Sequence, residues 1–206
     1  MTTTQFWWLR HAPVVDNGGL VYGGAEIDAD TSHDPTYTAL SKILPSPAIF
    51  ICSGLSRTAQ TLEAVRKQGR KDIPRNIPTD SRLNEQSLGD WHGKPIKDVF
   101  PNGGPWPQFW MLEAEKRAPG GESFNDLCLR VNPAIQEMTR TYEGKSIVIA
   151  AHGGTIRAAI ALALQLKPSS ALAFTIENCS ITRIDHIKGS GSQEAWRISG
   201  TNLTPR

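Results

Sequence analysis

The chain has 206 residues, 39% hydrophobic and 20% charged, which suits one globular domain spanning residues 1–206. A formal charge of +2 is too near neutral to point to nucleic acid or an anionic membrane as a partner. Cys52, Cys128 and Cys179 lack paired spacing, and no apolar run approaches the roughly 18 residues of a membrane span, so a reducing, cytoplasmic setting is expected.

Along the chain, short apolar runs alternate with helical patterns. "FWWL" (6–9), "AIFIC" (48–52) and "SIVIAA" (146–151) are nearly continuous and partly β-branched, as strands buried on both faces are. After the second run, Leu55, Ala59, Leu62 and Val65 recur at helical spacing. The basic stretch "RKQGRKDIPR" (66–75) reads as the solvated end of that helix, where cations suit the dipole. Residues 93–121 break the rhythm and are read as a lid or insert. In it "PNGGPWP" (101–107) is a loop, and "QFWMLEAEKR" could form a short helix. There Trp106, Phe109, Trp110 and Met111 either cap a pocket or pack onto the body, and Lys116 and Arg117 read first as an exposed helix end and second as a hold on an anionic substrate.

Residues 122–142 form an amphipathic pattern through Phe124, Leu127, Val131, Ile135 and Met138, with Pro133 expected to kink it and Glu122 and Ser123 at its start. "GGTIRAAIALALQL" (153–166) is apolar almost all round, so this helix is expected deep in the structure, with Arg157 as a lone cation inside it. "CSITRIDH" and "EAWRIS" read as two late strands, a hairpin at a sheet edge; His33 and His186 are taken as surface residues and Asn178 as a turn residue. The alternation predicts a three-layer α/β/α fold with a mostly parallel central sheet.

Ligands of open α/β sheets bind beyond the carboxyl ends of the strands. The first strand ends in Arg10-His11, the second in Ser53-Gly-Leu-Ser-Arg57, and the third in His152-Gly153-Gly154, with helices opening directly after the last two. Singly, a strand-end arginine is usually a surface ion-pair member and a histidine a hydrogen-bonded loop residue. Three basic strand ends with no acid among them point instead to an anion pocket, with glycines that let an anion reach backbone N–H groups. Guanidinium forks match phosphate oxygens. Neutral imidazole is a competent nucleophile towards phosphorus, and a second, protonated histidine would donate to the equatorial oxygens. Cysteine chemistry fits poorly, because four residues separate Cys52 from Arg57 where a phosphate-wrapping Cys loop has five.

"LRHA" (9–12), "SGLSRTAQT" (53–61), "LNEQSLGDWHG" (83–93), "PGGES" (119–123) and "AAHGGTIR" (150–157) occur in an order that resembles the histidine phosphatase superfamily, in its phosphoglycerate-mutase-like branch. The resemblance implies a phosphoglycerate-mutase-like fold and a phosphohistidine formed on His11. It implies that Arg10, Arg57, His152 and Gly153 surround the phosphoryl group, and that Glu85 serves as proton donor to the leaving oxygen. Asn17, six residues after His11, matches a phosphate-contacting asparagine of the family. No metal or other cofactor is implied, and the partner is a small phosphorylated metabolite; oligomeric state is not readable. Two departures stand out: Ala12 replaces the glycine usual after the histidine, and His92 replaces the glutamate of a Trp-Glu-Gly triplet, as a loop residue or at the pocket mouth.

The short insertion and the sequence around Glu85 resemble the phosphatase subgroup, so the expected activity is phosphomonoester hydrolysis. The stretch "GGLVYGGAEIDAD" (18–30) resembles α-ribazole-phosphate phosphatases and makes that ester one candidate substrate. Phosphoglycerate-mutase-type transfer is the alternative. A non-catalytic phospho-ligand binding protein is the second, though loss of a histidine or of the acid would mark it and none is lost.

Overall fold

Threonines continue the first apolar run towards the N-terminus, and the strand they form, β1, covers Thr2–Arg10 rather than the apolar run alone. The computed structural model describes residues 1–99, 113–191 and 193–205. The other strands are β2 (Ile49–Cys52), β3 (Ser146–Ala151), β4 (Ile181–Lys188) and β5 (Glu194–Leu203), in spatial order β2-β3-β1-β4-β5. β2, β3 and β1 run parallel, whereas β4 is antiparallel to β1 and β5 to β4. The expected mostly parallel sheet is thus corrected to a mixed one, parallel in two of its four pairings. The 165–180 segment brings β4 back antiparallel to β1, and β4 and β5 are joined too closely for a crossover helix, so a hairpin connects them. That hairpin forms the sheet edge, as the sequence suggests.

Alternation along the buried strands feeds two cores, one on each face. Ile147, Ile149 and Ala151 of β3 join Phe6, Trp8 and Ile184 on one face. Helices α3 (Phe124–Thr141) and α4 (Gly153–Leu164) cover it, through Leu127, Val131, Ile135, Ile156 and Ile160 among others. Val148 and Ala150 face the other way, with Leu9, Phe50 and Cys52, under α1 (Asp34–Ile43) and α2 (Ser56–Lys67). Helices on both faces make the three-layer α/β/α arrangement.

α1, with a proline in its first turn, buries Tyr37 and Leu40 against the sheet, an element for which the sequence carries little periodic signal. α3 begins at Phe124 because Ser123 and Asp126 form a capping box, and it continues as one helix across Pro133. Beyond α2, Arg70 does more than sit in solvent: its guanidinium donates to the carbonyls of Ser41, Leu44 and Pro45 and pairs with Asp72. The 101–107 loop and Trp106, Phe109, Trp110 and Met111 lie outside the described residues. Glu113–Arg117, expected at the end of a short helix, form a non-helical turn. Among the described residues, no helix is long and apolar enough to cross a membrane.

Candidate active site

Strand register sets the site. Arg10 of β1 lies beside Ala151 of β3, and Cys52 of β2 beside Ala150, so Arg10-His11, Ser53 and His152 leave the sheet side by side. β4 starts at this same end, with Ile181 beside Leu9, which brings the 172–180 loop against the ends of the parallel strands.

His11 is 2% exposed, and its Nδ1 lies 2.6 Å from the Ala12 carbonyl oxygen. That oxygen can only accept, so Nδ1 carries the proton and Nε2 keeps its lone pair. Burial, reinforced by the Arg57 and Arg10 charges, lowers the His11 pKa to about 3. Its ring centroid stands 5.0 Å from that of His152. His152 is fully buried at the start of α4, with Nε2 2.8 Å from Ser53 Oγ. Burial first, then His11, Arg57 and Arg10, push its pKa well below the ordinary histidine value. Both shifts favour the neutral imidazole where the sequence reading expects a protonated second histidine, and the guanidiniums are the permanent charges of the cluster.

Arg57, also fully buried in the first turn of α2, donates from Nη1 to Ala25 O and from Nη2 to Gly23 O, each at 2.8 Å. Arg10 donates from Nη1 to Ile176 O at 2.5 Å. Arg10 Nε, Arg57 Nε and His152 Nδ1 are buried without a hydrogen-bond partner among the described residues. An unmade buried hydrogen bond costs about 1–3 kcal/mol, and all three nitrogens belong to this one basic cluster. A tetrahedral oxyanion is the ligand whose oxygens such donors match.

Glu85 follows the 3-10 turn Ser81–Leu83 and meets α4: Oε2 accepts from Gly154 N–H at 3.2 Å and Oε1 from Gln86 N–H at 3.0 Å. A Cβ at Gly154 would overlap Glu85 Oε1, so only glycine lets the carboxylate approach this helix start. Arg130 of α3 anchors the segment carrying Glu85, donating to the carbonyls of Arg82, Asn84 and Glu85 at 2.8, 2.8 and 3.0 Å. The same guanidinium pairs with Glu122 at 2.7 Å. Thr155 Oγ1 adds a bond to Leu83 O at 3.0 Å.

These groups edge a cavity of about 390 Å³ with Arg10, His11, Glu85, Gly153, Gly154 and Arg157 in its lining. Arg57 and His152 stand behind that wall, while Val21, Tyr22, Leu88 and Phe124 give it apolar flanks. Lys116, read first as an exposed end and second as a hold on an anionic substrate, lines it too, paired with Glu113 at 2.7 Å.

Of the sequence-selected residues, Asn17 is not brought to this cavity. Its Nδ2 donates to Leu20 O at 2.8 Å and its Oδ1 accepts from Gly19 N–H at 3.2 Å. The left-handed Gly18 and Gly19 fold the loop back on this side chain and engage both of its polar atoms. Asn178 is a contact that the sequence reading missed: its Nδ2 donates to His11 O at 2.9 Å and Ala12 O at 3.2 Å. His92 sits in the loop and accepts Leu88 N–H at 3.0 Å. His186, expected at the surface, is 5% exposed, because it packs on Trp196 within the β4–β5 hairpin. Cys52 is buried, and its thiol is pushed up to about 12, mainly by desolvation.

Comparison with known proteins gives a consistent picture. Residues 36–199 match the profile of the histidine phosphatase superfamily (branch 1), a span that contains Arg57, Glu85 and His152 and begins after His11. A probable phosphoglycerate mutase, GpmB, from Yersinia enterocolitica is 27% identical over 157 residues, 75% of this chain and 71% of that protein. A mycobacterial glucosyl-3-phosphoglycerate phosphatase, solved in complex with VO3, superposes with a TM-score of 0.79 at 25% identity, covering 97% of this chain and 98% of the other. A structure described as mycobacterial hydrolase 2 superposes with a TM-score of 0.84 at 23% identity, over 100% and 93% of the two chains, which shows a shared fold.

Proposed function

The chain belongs to the histidine phosphatase superfamily, and on that premise we propose that it hydrolyses phosphomonoesters of a small metabolite through a phosphohistidine at His11. One observation carries the reading: an imidazole whose Nδ1 is tied to the Ala12 carbonyl stands 5.0 Å from a second imidazole in a basic cluster, beside a cavity that His11 and Glu85 both line.

In this mechanism His11 Nε2 attacks phosphorus in line with the ester oxygen. The P–O bond breaks as the P–N bond forms, and the Glu85 carboxylic acid passes its proton to the departing alkoxide, releasing an alcohol. Positive charge left on the imidazole is shared through Nδ1–H with Ala12 O. Arg10, Arg57 and the His152 N–H hold the three non-bridging oxygens while charge redistributes, and the Gly153 backbone borders them. The Glu85 carboxylate then takes a proton from water, whose oxygen attacks phosphorus. P–N cleavage frees inorganic phosphate and returns His11 and Glu85 to their starting states. Every step runs on these side chains and on water. Three free, buried thiols suit operation in the reducing cytoplasm.

The test is phosphate release from p-nitrophenyl phosphate by the protein and by His11→Ala, with mass spectrometry of acid-quenched protein for the added phosphoryl group. Activity surviving in His11→Ala, or label on another residue, overturns the mechanism. The relatives named as probable phosphoglycerate mutases favour a second reading, transfer between hydroxyls of one glycerate. Rapid interconversion of 2- and 3-phosphoglycerate with little phosphate release would establish that instead. α-Ribazole 5'-phosphate belongs in the substrate panel on the strength of residues 18–30.

A further inference from the structure

A neutral imidazole offers one N–H and one lone pair, so the proton on His152 has to be placed on one of its two nitrogens. Nε2 lies 2.8 Å from Ser53 Oγ, a bond in which either atom can be the donor. Nδ1, the other ring nitrogen, is buried with no partner among the described residues. Glu85, the carboxylate in the lining of the adjoining cavity, accepts the Gly154 and Gln86 N–H groups and is not a partner of that nitrogen. Three cations, Arg57, Arg10 and Arg130, act on the ring. In their field a bare lone pair is the arrangement that electrostatics alone selects for Nδ1, and a lone pair repels an oxyanion. The proton needs a reason to stay on Nδ1.

Counting hydroxyl protons supplies it. Thr58 Oγ1 lies 2.8 Å from Leu55 O, which can only accept, so the Thr58 proton is used there. Ser53 Oγ accepts the Leu55 N–H at 3.2 Å and has one proton to give. Its two candidate acceptors are Thr58 Oγ1 at 3.2 Å and His152 Nε2 at 2.8 Å. O–H···O bonds span about 2.5–3.0 Å, so the Thr58 contact is too long and the His152 contact takes the proton. Were Nε2 to donate instead, the buried Ser53 hydroxyl would lack an acceptor in range and Nδ1 would still be unmet, whereas the first arrangement leaves Nδ1 alone unmet.

We propose that Ser53 is a positioning residue: its hydroxyl donates to His152 Nε2 and so keeps the proton on Nδ1, where it meets a non-bridging oxygen of the phosphoryl group. The inference rests on the hydrolase reading for the identity of that oxygen, while the placement of the proton rests on the hydroxyl bonds. The loop between β2 and α2 then serves the anion twice, through Arg57 in the first turn of the helix and through the tautomer of His152.

The experiment is nitrogen NMR of protein carrying 15N-labelled histidine, with the His152 signals assigned by their absence from His152→Asn. The wild type, both free and with bound vanadate, should show a protonated Nδ1 and a lone pair on Nε2. Ser53→Ala should lose this pattern, bind vanadate about tenfold more weakly and lower kcat on p-nitrophenyl phosphate by a similar factor. Ser53→Thr, which keeps the hydroxyl, should restore part of each. A wild-type proton on Nε2, or on both nitrogens, overturns the proposal, as does a Ser53→Ala protein that keeps either the pattern or the affinity. If Ser53→Ala does not fold, the wild-type spectrum decides alone. If the wild type neither binds vanadate nor releases phosphate, the hydrolase reading fails, and the free-protein spectrum still supports or refutes the placement of the proton.

Discussion

Acidification tests the electrostatics of the site without any substrate. His11 is 2% exposed with its pKa lowered to about 3, mainly by burial and then by Arg57 and Arg10. In the unfolded chain the same imidazole titrates near 6.5. Between those values the unfolded state binds a proton that the folded state refuses, so stability falls as pH falls through this window and is fully present above it. From pH 7 to pH 5 the unfolded imidazole goes from about one quarter to almost fully protonated, which removes about 2 kcal/mol from folding stability. His152, lowered in the same direction by burial first and then by His11, Arg57 and Arg10, acts in the same sense. Carboxylates held low by arginine partners, such as Asp80 and Asp185, lose their contribution mostly below pH 5 and leave this window clear. Urea denaturation in an anion-poor buffer at pH 7, 6 and 5 should therefore show a wild-type loss that exceeds the loss in His11→Asn by about 2 kcal/mol. If His11→Asn loses as much as the wild type over the same range, His11 is not the neutral buried group described here. Vanadate or phosphate in the buffer should flatten the wild-type profile, because an anion favours the charged imidazole.

Further outcomes follow from the same geometry. Glu85→Gln should lower turnover of an alkyl phosphate by about 10²–10⁴, and less for p-nitrophenyl phosphate, whose phenolate departs without a proton; equal losses would remove Glu85 from the acid role. Arg130→Met strips the anchor from the Arg82, Asn84 and Glu85 carbonyls and leaves Glu122 without its partner, so it should cost about 2–3 kcal/mol in urea denaturation. Asn178→Ala should cost about 1–2 kcal/mol and reduce kcat with little change in KM, and Asn178→Asp should be worse, since a carboxylate would face two carbonyl oxygens. Cys52→Ala should keep activity and lose reactivity with iodoacetamide at that position only after unfolding, because the thiol is buried and held up near 12.

Strand ends and helix starts were legible because local chemistry announces them. Short apolar runs closed by Arg10-His11, Ser53 and His152-Gly153 predict both the parallel strands and the place where their ends meet, and the register of β1 with β3 agrees. The antiparallel half of the sheet was harder to see. "CSITRIDH" and "EAWRIS" read as strands, but their direction depends on the path of the 165–180 segment, which has no periodic pattern. That segment is also where the sequence said least about the site. Phe174 O, Ile176 O and Asn178 Nδ2, at alternate positions, hold Arg157, Arg10 and the His11 carbonyl. Two of these contacts use backbone carbonyls, which any side chain would supply, so residue identity carries no signal for them. Arg130 hides differently, as one cation among several on an amphipathic helix, and only the return of the 82–87 segment shows what it anchors. Asn17 misled because Asn-Gly-Gly is also turn chemistry, and here the turn wins.

Charge and nucleophilicity are divided between residue types in this cluster, and the division has a physical reason. An anion pocket needs permanent positive charge, which guanidinium supplies because it does not give up its proton in a protein. A nitrogen nucleophile needs a lone pair, and a histidine in water at neutral pH is partly protonated. Placing His11 next to Arg57 and Arg10 and burying it solves both demands at once, since the cations that attract phosphate also drive the proton off the imidazole. The Ala12 carbonyl, braced by Asn178, then decides which nitrogen keeps the lone pair. An arginine replaced by glutamine would therefore weaken anion binding and also let the His11 pKa rise. Arg57→Gln is expected to shift the acid limb of the stability profile upward as well as to slow phosphate release. A variant that changed binding alone, with the histidine titration unmoved, would show that burial by itself keeps the imidazole neutral.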